Sequence, residues 1–446
     1  MKILHFFKTY WPDTFGGVER TIAAICQGVE RHGIQSDVLS LSPEPGKNSR
    51  QFGGHFAHKA QLDFEVASTG FSRAAFRRFR QLGRQADIIH FHFPWPLMDV
   101  IHLTSHLQKP AVVTYHSDIV KQKTLLRLYE PLMSRFLGSM DAIVATSPNY
   151  LRSSPVLHKF SSKVEVIPLG LDEASYPVVD TERRDVWRAK LPARFFVFIG
   201  VFRYYKGIHV LMEAAEKTGI PIVLIGGAET DEFRQEAQRR GIDNMYFVGS
   251  LPDEDKMAVL DLSIGLVFPS HLRSEAFGLS LVEASMRGKP MISCEIGTGT
   301  SYVNRDGVTG LVIDPDNSDA LAAAMRRLFD DQKMADEFGA NARQRYLDNF
   351  TAERMADSYA RLYERVGRPS CCLGNLSHAV FEFIDRADYV IEGTAGSRLF
   401  LEAACLVQFV SPTACQRHVQ EKVERSDCVP CGSQIIFAFL PLRNGG

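Results

Sequence analysis

The chain has 446 residues, 45% of them hydrophobic and 23% charged, with a formal net charge of −1 at pH 7. That length suits two domains and a further piece, and the balanced charge excludes a general nucleic-acid binder. No uncharged apolar stretch reaches the roughly 18 residues of a membrane-spanning helix, and the apolar run in Met1–Lys8 is short for a signal peptide, so neither is expected.

Residues 1–170 alternate short apolar segments with stretches of helical periodicity. Ile3–Phe7, Asp37–Leu41, Ile88–Phe91, Ala111–Tyr115, Ala142–Ala145 and Val164–Ile167 are predicted strands, most of them rich in β-branched residues. Val18–Arg31, Phe71–Arg84 and Leu125–Leu137 space their apolar residues as helices do. Strands separated by helices imply parallel βαβ units. Residues 171–192, within the polar stretch Pro168–Pro192, predict an interdomain linker. A second alternation runs through Phe195–Ile199, Ile222–Ile225, Met245–Val248, Ile264–Phe268 and Met291–Ser293. It closes with predicted helices at Asp319–Phe329, Lys333–Tyr346 and Ala352–Val366. The expected fold is α/β: two doubly wound, parallel-sheet, Rossmann-like domains, residues 1–170 and 193–350, facing across a cleft.

Only Cys26 and Cys294 precede Ser370, which suits a reducing cytoplasm, while six cysteines follow it. That shift marks residues 369–446 as an appended segment. Within it Ala387–Ile391, Leu399–Cys405 and Val407–Val410 predict strand, helix and strand. Cys415, His418, Cys428 and Cys431 have the donor types of a tetrahedral zinc site, against the plainer reading of a nonfunctional appendage.

Taken along the chain, several motifs sit where strands end. After the first strand, Phe15-Gly16-Gly17-Val18-Glu19-Arg20 lets backbone approach a ligand and opens a helix, although the third glycine of a dinucleotide fingerprint is missing. His116 and Asp118 follow Val112–Tyr115 at a strand's carboxyl end, where His116 is either a satisfied structural side chain or a polar group facing the cleft to contact sugar hydroxyls or the acceptor. In the second domain Gly200-Val-Phe-Arg203-Tyr-Tyr-Lys206-Gly207 brings two cations to a strand end, suited to a diphosphate that gains charge as its bond breaks. Asp253-Glu-Asp255 and Asp314-Pro-Asp316 have a D-x-D form, but their turn context before helices favours capping, and no metal is assigned.

The densest motif is Ser274-Glu-Ala-Phe-Gly-Leu-Ser-Leu-Val-Glu283. Glu275 falls in the loop at the carboxyl end of a buried strand, and Glu283 on the helix that Phe277-Gly278 opens. Ligands of open α/β sheets bind at that crevice, and a helix start offers N–H groups to a phosphate. Two carboxylates there can accept hydroxyls from a sugar and from a ribose. A further pattern stands apart: Arg73, Arg77, Arg80 and Arg84 form one stripe of a helix, opposite Phe71, Ala75, Phe79 and Leu82. It is a solvated face or a dock for anionic lipid.

Together, Gly16-Gly17, Thr114-Tyr-His116, Arg203…Lys206-Gly207, Glu275-Ala-Phe-Gly-Leu…Glu283 and Gly307…Gly310-Leu-Val resemble the retaining glycosyltransferases of family 4. These have the GT-B fold, two facing Rossmann-like domains with a Glu-x7-Glu motif, and the resemblance covers roughly residues 1–367. It implies an acceptor site on the N-terminal domain, a nucleotide-sugar site on the C-terminal one, and a helix, 351–368, returning to brace the first domain. By position, Glu283 would hold the ribose and Glu275 the donor sugar. The N–H groups of Phe277, Gly278 and Leu279 would contact sugar or phosphate. Lys206 would clamp the diphosphate, Gly16 and Gly17 would approach it, and His116 would contact the transferring sugar, making His116, Lys206 and Glu275 the catalytic set. Many relatives carry Arg where this chain has Val201, so Arg203 is expected to supply that guanidinium from the same side of an extended segment.

The opening Phe7-Lys-Thr-Tyr-Trp-Pro and the Gly200–Gly207 segment are most similar to bacterial mannosyl- and rhamnosyltransferases of O-antigen assembly. That resemblance implies GDP-mannose or GDP-rhamnose as donor, no metal and a lipid-linked saccharide acceptor, and the cysteine pattern and arginine stripe add the expectation of a cytoplasmic protein peripheral on the inner membrane face. A UDP-sugar donor, and a catalytically weak scaffold of a polysaccharide assembly complex, are the alternatives.

Overall fold

The computed structural model describes residues 1–66, 69–119, 123–227 and 230–368. The expectations for 369–446, including Cys415, His418, Cys428 and Cys431, lie outside the described residues.

In the first half the strands are β1 (Lys2–Phe6), β2 (Gln35–Ser42), β3 (Arg50–Phe52), β4 (His55–Gln61), β5 (Phe64–Val66), β6 (Thr69–Phe71), β7 (Ile88–Phe93), β8 (Ala111–Tyr115), β9 (Ala142–Ala145) and β10 (Val164–Val166). In the second they are β11 (Phe196–Ile199), β12 (Ile222–Ile225), β13 (Met245–Gly249), β14 (Gly265–Phe268), β15 (Met291–Cys294) and β16 (Gly310–Ile313). The first sheet has the order β10-β9-β8-β7-β1-β2-β4-β3 and the second β13-β12-β11-β14-β15-β16. All neighbours pair in parallel except β3 with β4. The expected pair of doubly wound parallel sheets is therefore present. Strands such as β7, β8 and β12 are buried throughout, because helices cover both faces.

Both sheets reverse their winding at their first strand, β1 between β2 and β7, and β11 between β12 and β14. A crevice opens at the carboxyl ends of the strands at such a switch point. Topology alone thus aims the loops after β1, β11 and β14 at ligand-binding positions.

Several features depart from the sequence reading, which has no counterpart for β3, β5, β6 or helix Pro96–Ser105. Strand β4 was hidden by its polar residues, yet Lys59 within it is buried and satisfied by Asp13 (2.8 Å), the Tyr10 carbonyl (2.8 Å) and Ser40 Oγ (2.9 Å). Strand β16 opens on Gly310 just after the turn at Gly307, so only Leu311–Ile313 read as an apolar run in the sequence. The linker is not open chain: it carries a helix, Thr181–Lys190, capped by Asp180, whose carboxylate accepts from the Arg183 N–H at 2.7 Å.

The final described helix, Ala352–Gly367, packs on the first sheet. Tyr363 bonds His90 Nδ1 (2.6 Å) and Tyr359 bonds Thr114 Oγ1 (2.8 Å). Gly28 lets this helix meet helix Gly17–Val29, since a Cβ there would sit 2.4 Å from Ala356 Cβ.

Candidate active site in the cleft between the sheets

A cleft of about 580 Å³ lies where the two switch points face each other. Gly16 and Gly17 begin helix Gly17–Val29 on one wall. A Cβ on Gly17 would stand 3.1 Å from Leu279 on the other wall, so a side chain there would narrow the cleft.

Lys206 ends a 3-10 turn after β11, and Gly207 follows at φ 72°. Only glycine fits there, since a Cβ would fall 2.1 Å from the Pro269 carbonyl oxygen. That contact docks the turn on the loop after β14, which carries Glu275. Lys206 Nζ donates to Glu275 Oε2 and lies 4.7 Å from the centre of the Phe268 ring. Ser270 Oγ donates to the same carboxylate oxygen at 3.3 Å. The two residues expected to meet diphosphate and sugar are therefore each other's partner, and together add little net charge to the cleft.

Glu283 is buried on helix Leu279–Met286, which starts after Gly278 at φ 88°. Its Oε1 accepts from Tyr176 (2.9 Å) and from Lys256 Nζ (2.7 Å). Both donors converge on one oxygen, so Oε2 has no protein partner among the described residues. Lys256 also pairs with Asp253 (2.8 Å), and Asp253 with Arg20 of the opposite wall (3.0 Å). Burial works against the charge of Asp253, but bonds from Lys256 and Arg20 outweigh it and hold the carboxyl below its ordinary range.

His116 lines the first domain's side of the cleft. Its Nε2 bonds His92 Nδ1 (3.0 Å), and His92 Nε2 bonds His5 Nδ1 (3.1 Å), a chain running into the sheet. Burial pushes His116 down to about 3, so at neutral pH it is an uncharged donor or acceptor. Asp118, two residues on, holds the walls together: its Oδ2 accepts from Arg273 Nη2 at 2.9 Å, while Tyr115 and Ser154 donate to Oδ1.

Of the residues expected at the site, Gly16, Gly17, His116, Lys206, Glu275, Phe277, Gly278, Leu279 and Glu283 line this one cleft. Arg203 does not. Val201 lines the cleft, whereas Arg203, still extended at φ −138° and ψ 150° just before the 3-10 turn at Tyr204, is exposed and does not line it. The lining cations are instead Lys206, Arg20 and Lys256. Arg20 was legible as one helical turn beyond Gly17, and Lys256 as three residues beyond Asp253. Tyr176, from the linker, left no signal in the sequence.

The capping reading of the D-x-D segments also changes. Pro252 occupies the cap before helix Asp253–Leu262, and Asp255 instead pairs with Arg183 (2.9 Å) and Trp187 Nε1 (2.9 Å). Asn317, not an aspartate, caps helix Ser318–Asp330. A second depression, beside Asp261 and Glu173, contains Arg184, Arg287 and Arg343, but these arginines are already paired with those carboxylates.

Residues 15–175 match the model of Glycosyltransferase Family 4, and residues 179–345 that of Glycosyl transferases group 1. The chain is 51% identical to D-rhamnosyltransferase WbpZ of Pseudomonas aeruginosa, over 79% of this chain and 93% of that one. It is 48% identical to O-antigen chain mannosyltransferase C of Escherichia coli, over 81% of this chain and 98% of that one. Among solved structures, sucrose-phosphate synthase from Thermosynechococcus elongatus is similar in fold, with a TM-score of 0.68, 22% identity, and coverage of 82% of this chain and 98% of that one.

Proposed function

The chain belongs to glycosyltransferase family 4, with a group 1 second half, and on that premise we propose that it moves mannose or rhamnose from a GDP-sugar to a lipid-linked saccharide. It is an enzyme of the O-antigen glycosyltransferase type. The observation that carries the finer reading is the convergence of Lys206, Glu275, Glu283 and the Gly278 helix start on one cleft, in a chain about half identical to relatives named for those two sugars.

In this reading the ribose hydroxyls donate to Glu283 Oε2, the oxygen that Tyr176 and Lys256 leave available. The diphosphate meets the N–H groups of Phe277, Gly278 and Leu279, with Gly16 and Gly17 closing over it. Lys206 is shared between Glu275 and the diphosphate once the donor is bound. As the sugar carbon–oxygen bond breaks, its electron pair passes to the diphosphate, and Lys206 answers the added charge. Glu275 and neutral His116 bond sugar hydroxyls. The acceptor hydroxyl attacks from the face the diphosphate leaves and gives its proton to a departing phosphate oxygen, which retains configuration. Arg203 has no part in this, and no divalent ion is assigned to the diphosphate.

Arg73, Arg77, Arg80 and Arg84 are exposed on helix Arg73–Gln85, while Ala75, Phe79 and Leu82 are buried beneath them. Hairpin β5–β6 leads directly into that helix and exposes Phe64 (55%) and Val66 (58%). A basic stripe beside exposed apolar side chains favours docking on an anionic membrane, where a lipid-linked acceptor resides. Among the described residues no helix is long and apolar enough to cross a membrane.

The test is incubation of the purified protein with GDP-mannose, GDP-rhamnose and UDP-sugars, followed by the anomeric configuration of the product. Turnover with UDP-sugars alone, or an inverted product, overturns the donor or the retention; no turnover with any donor leaves the scaffold alternative standing. Donor affinity should survive EDTA. Affinity lost to EDTA and restored by Mg²⁺ would return a metal to the diphosphate.

A further inference from the structure

We propose that His209, His271 and Asp316 bind one divalent first-row metal ion, of which Zn²⁺ is the probe, and that this ion staples the loop after β14 and the turn at Asp316 to the first turn of the helix that follows Lys206. The three side chains come from separate places. His209 lies in the first turn of helix Ile208–Thr218, His271 follows β14, and Asp316 lies between β16 and helix Ser318–Asp330. Their ligand atoms all fall within 4.8 Å of one another.

His271 carries the inference. Its side chain is 0% exposed, yet neither Nδ1 nor Nε2 has a hydrogen-bond partner. A buried imidazole ordinarily satisfies at least one nitrogen, and one with both unpaired calls for a ligand. Asp316 is one of two non-glycine residues with positive φ, at 55°, among the described residues. That sparsely populated conformation turns its carboxylate toward both rings. Oδ1 lies 3.6 Å from His209 Nε2 and 3.7 Å from His271 Nδ1. Both separations are too long for hydrogen bonds. They are a few tenths of an ångström beyond the roughly 3.4 Å between ligands of a tetrahedral ion with bonds near 2.0–2.1 Å.

The rings of His209 and His271 stand edge to face at 88°, with centroids 5.1 Å apart, and Tyr204 stacks on His209 at 3°. Two imidazoles and one carboxylate suit zinc, copper or nickel and not magnesium or calcium, and leave a fourth position to water. None of the three residues lines the cleft, so the ion would touch no donor atom. Its consequence is positional: His209 stands three residues after Lys206, and the His271 N–H donates to the Tyr205 carbonyl at 3.0 Å. The inference does not depend on which donor the cleft accepts.

The test uses tag-free full-length protein stripped with EDTA and titrated with Zn²⁺ against a chromophoric chelator. Wild type should bind one equivalent more than Asp316→Asn or His271→Ala, each variant losing about 100-fold or more in affinity at that site. Co²⁺ at the same equivalent should show d–d bands without thiolate charge transfer, which separates it from any cysteine site. Asp316 is 57% exposed and its change to Asn nearly isosteric, so this variant reports even if His271→Ala fails to fold. Equal stoichiometry and affinity in wild type and Asp316→Asn, or thiolate bands at the equivalent in question, overturns the proposal.

Discussion

Replacing Glu283 by Gln should weaken nucleotide binding while leaving the fold intact. In the protein Oε1 is held by Tyr176 and Lys256, so a glutamine carbonyl can still accept at that position, and Lys256 keeps Asp253 as a counter-charge. What is lost is the second acceptor, Oε2, which becomes an NH₂ that cannot accept from a ribose hydroxyl. Charged hydrogen bonds of this kind contribute about 1.5–3 kcal/mol, which predicts a roughly 10- to 150-fold rise in Kd. Glu283→Ala is the poorer probe. It also strips a partner from the buried ammonium of Lys256, so stability falls along with binding. Calorimetric titration with GDP and with its 2′-deoxy analogue separates the contributions. Wild type should lose affinity for the deoxy analogue, and Glu283→Gln should lose little more. Tyr176→Phe should raise Kd by no more than about tenfold, since it removes one neutral donor from Oε1. If Glu283→Gln binds GDP as tightly as wild type, or pays the same deoxy penalty, the carboxylate does not hold the ribose.

Lys206→Ala should depress turnover by roughly 10²–10³ while weakening nucleoside monophosphate binding far less, because its charge answers the leaving diphosphate; equal losses in single-turnover transfer and monophosphate titration would place the lysine elsewhere. Acid should unfold the first domain early. His5 and His116 are pushed down to about 3 by burial, and His90 and His92 are also lowered by burial, so the unfolded chain binds protons that the folded one refuses. Their stabilisation is fully present above about pH 6.5 and is lost as pH falls toward 3, at up to about 1.4 kcal/mol per pH unit for each histidine; a Tm that stays flat from pH 7 to 5 would contradict this. Gly28→Leu should cost about 1–3 kcal/mol by overpacking against Ala356, read as a lower denaturation midpoint. Vesicle binding should fall with salt and with Arg73, Arg77, Arg80 and Arg84 changed to Ser, and salt-insensitive binding to anionic vesicles would remove the stripe from the membrane.

The sequence disclosed most where local chemistry and topology coincide. Ala111–Tyr115, Ala142–Ala145 and Ile222–Ile225 were placed to the residue, because a parallel strand buried on both faces reads as a near-continuous apolar run. The site glycines were legible for a related reason: Gly207 and Gly278 precede helices at the ends of such strands, where backbone crowding or positive φ leaves little choice of residue. Strand β4 shows the limit. Lys59 and the histidines flanking it look like surface until the fold brings Asp13, Ser40 and the Tyr10 carbonyl to the ammonium, and nothing local to residues 55–61 announces those partners.

Pairing between residues far apart in the chain is the part that no window of sequence contains. Lys206 and Glu275 are 69 residues apart, Tyr176 and Glu283 are 107, and Arg20 and Asp253 are 233. Read singly, Lys206 and Arg203 were equivalent cations on one short segment, and Arg203 was the natural replacement for the guanidinium missing at Val201. The 3-10 turn at Tyr204–Lys206 separates them, sending Lys206 into the cleft and leaving Arg203 outside. Opposite charges then settle what each can do. On the proposed reading, a lysine already bonded to Glu275 carries little field into the cleft, so initial capture of the donor would fall to backbone N–H groups and to Glu283. The same lysine would become effective when the diphosphate gains charge and competes with Glu275 for it. Binding and chemistry are thereby assigned to different residues of one cleft, which is why Glu283→Gln should act on Kd and Lys206→Ala on turnover.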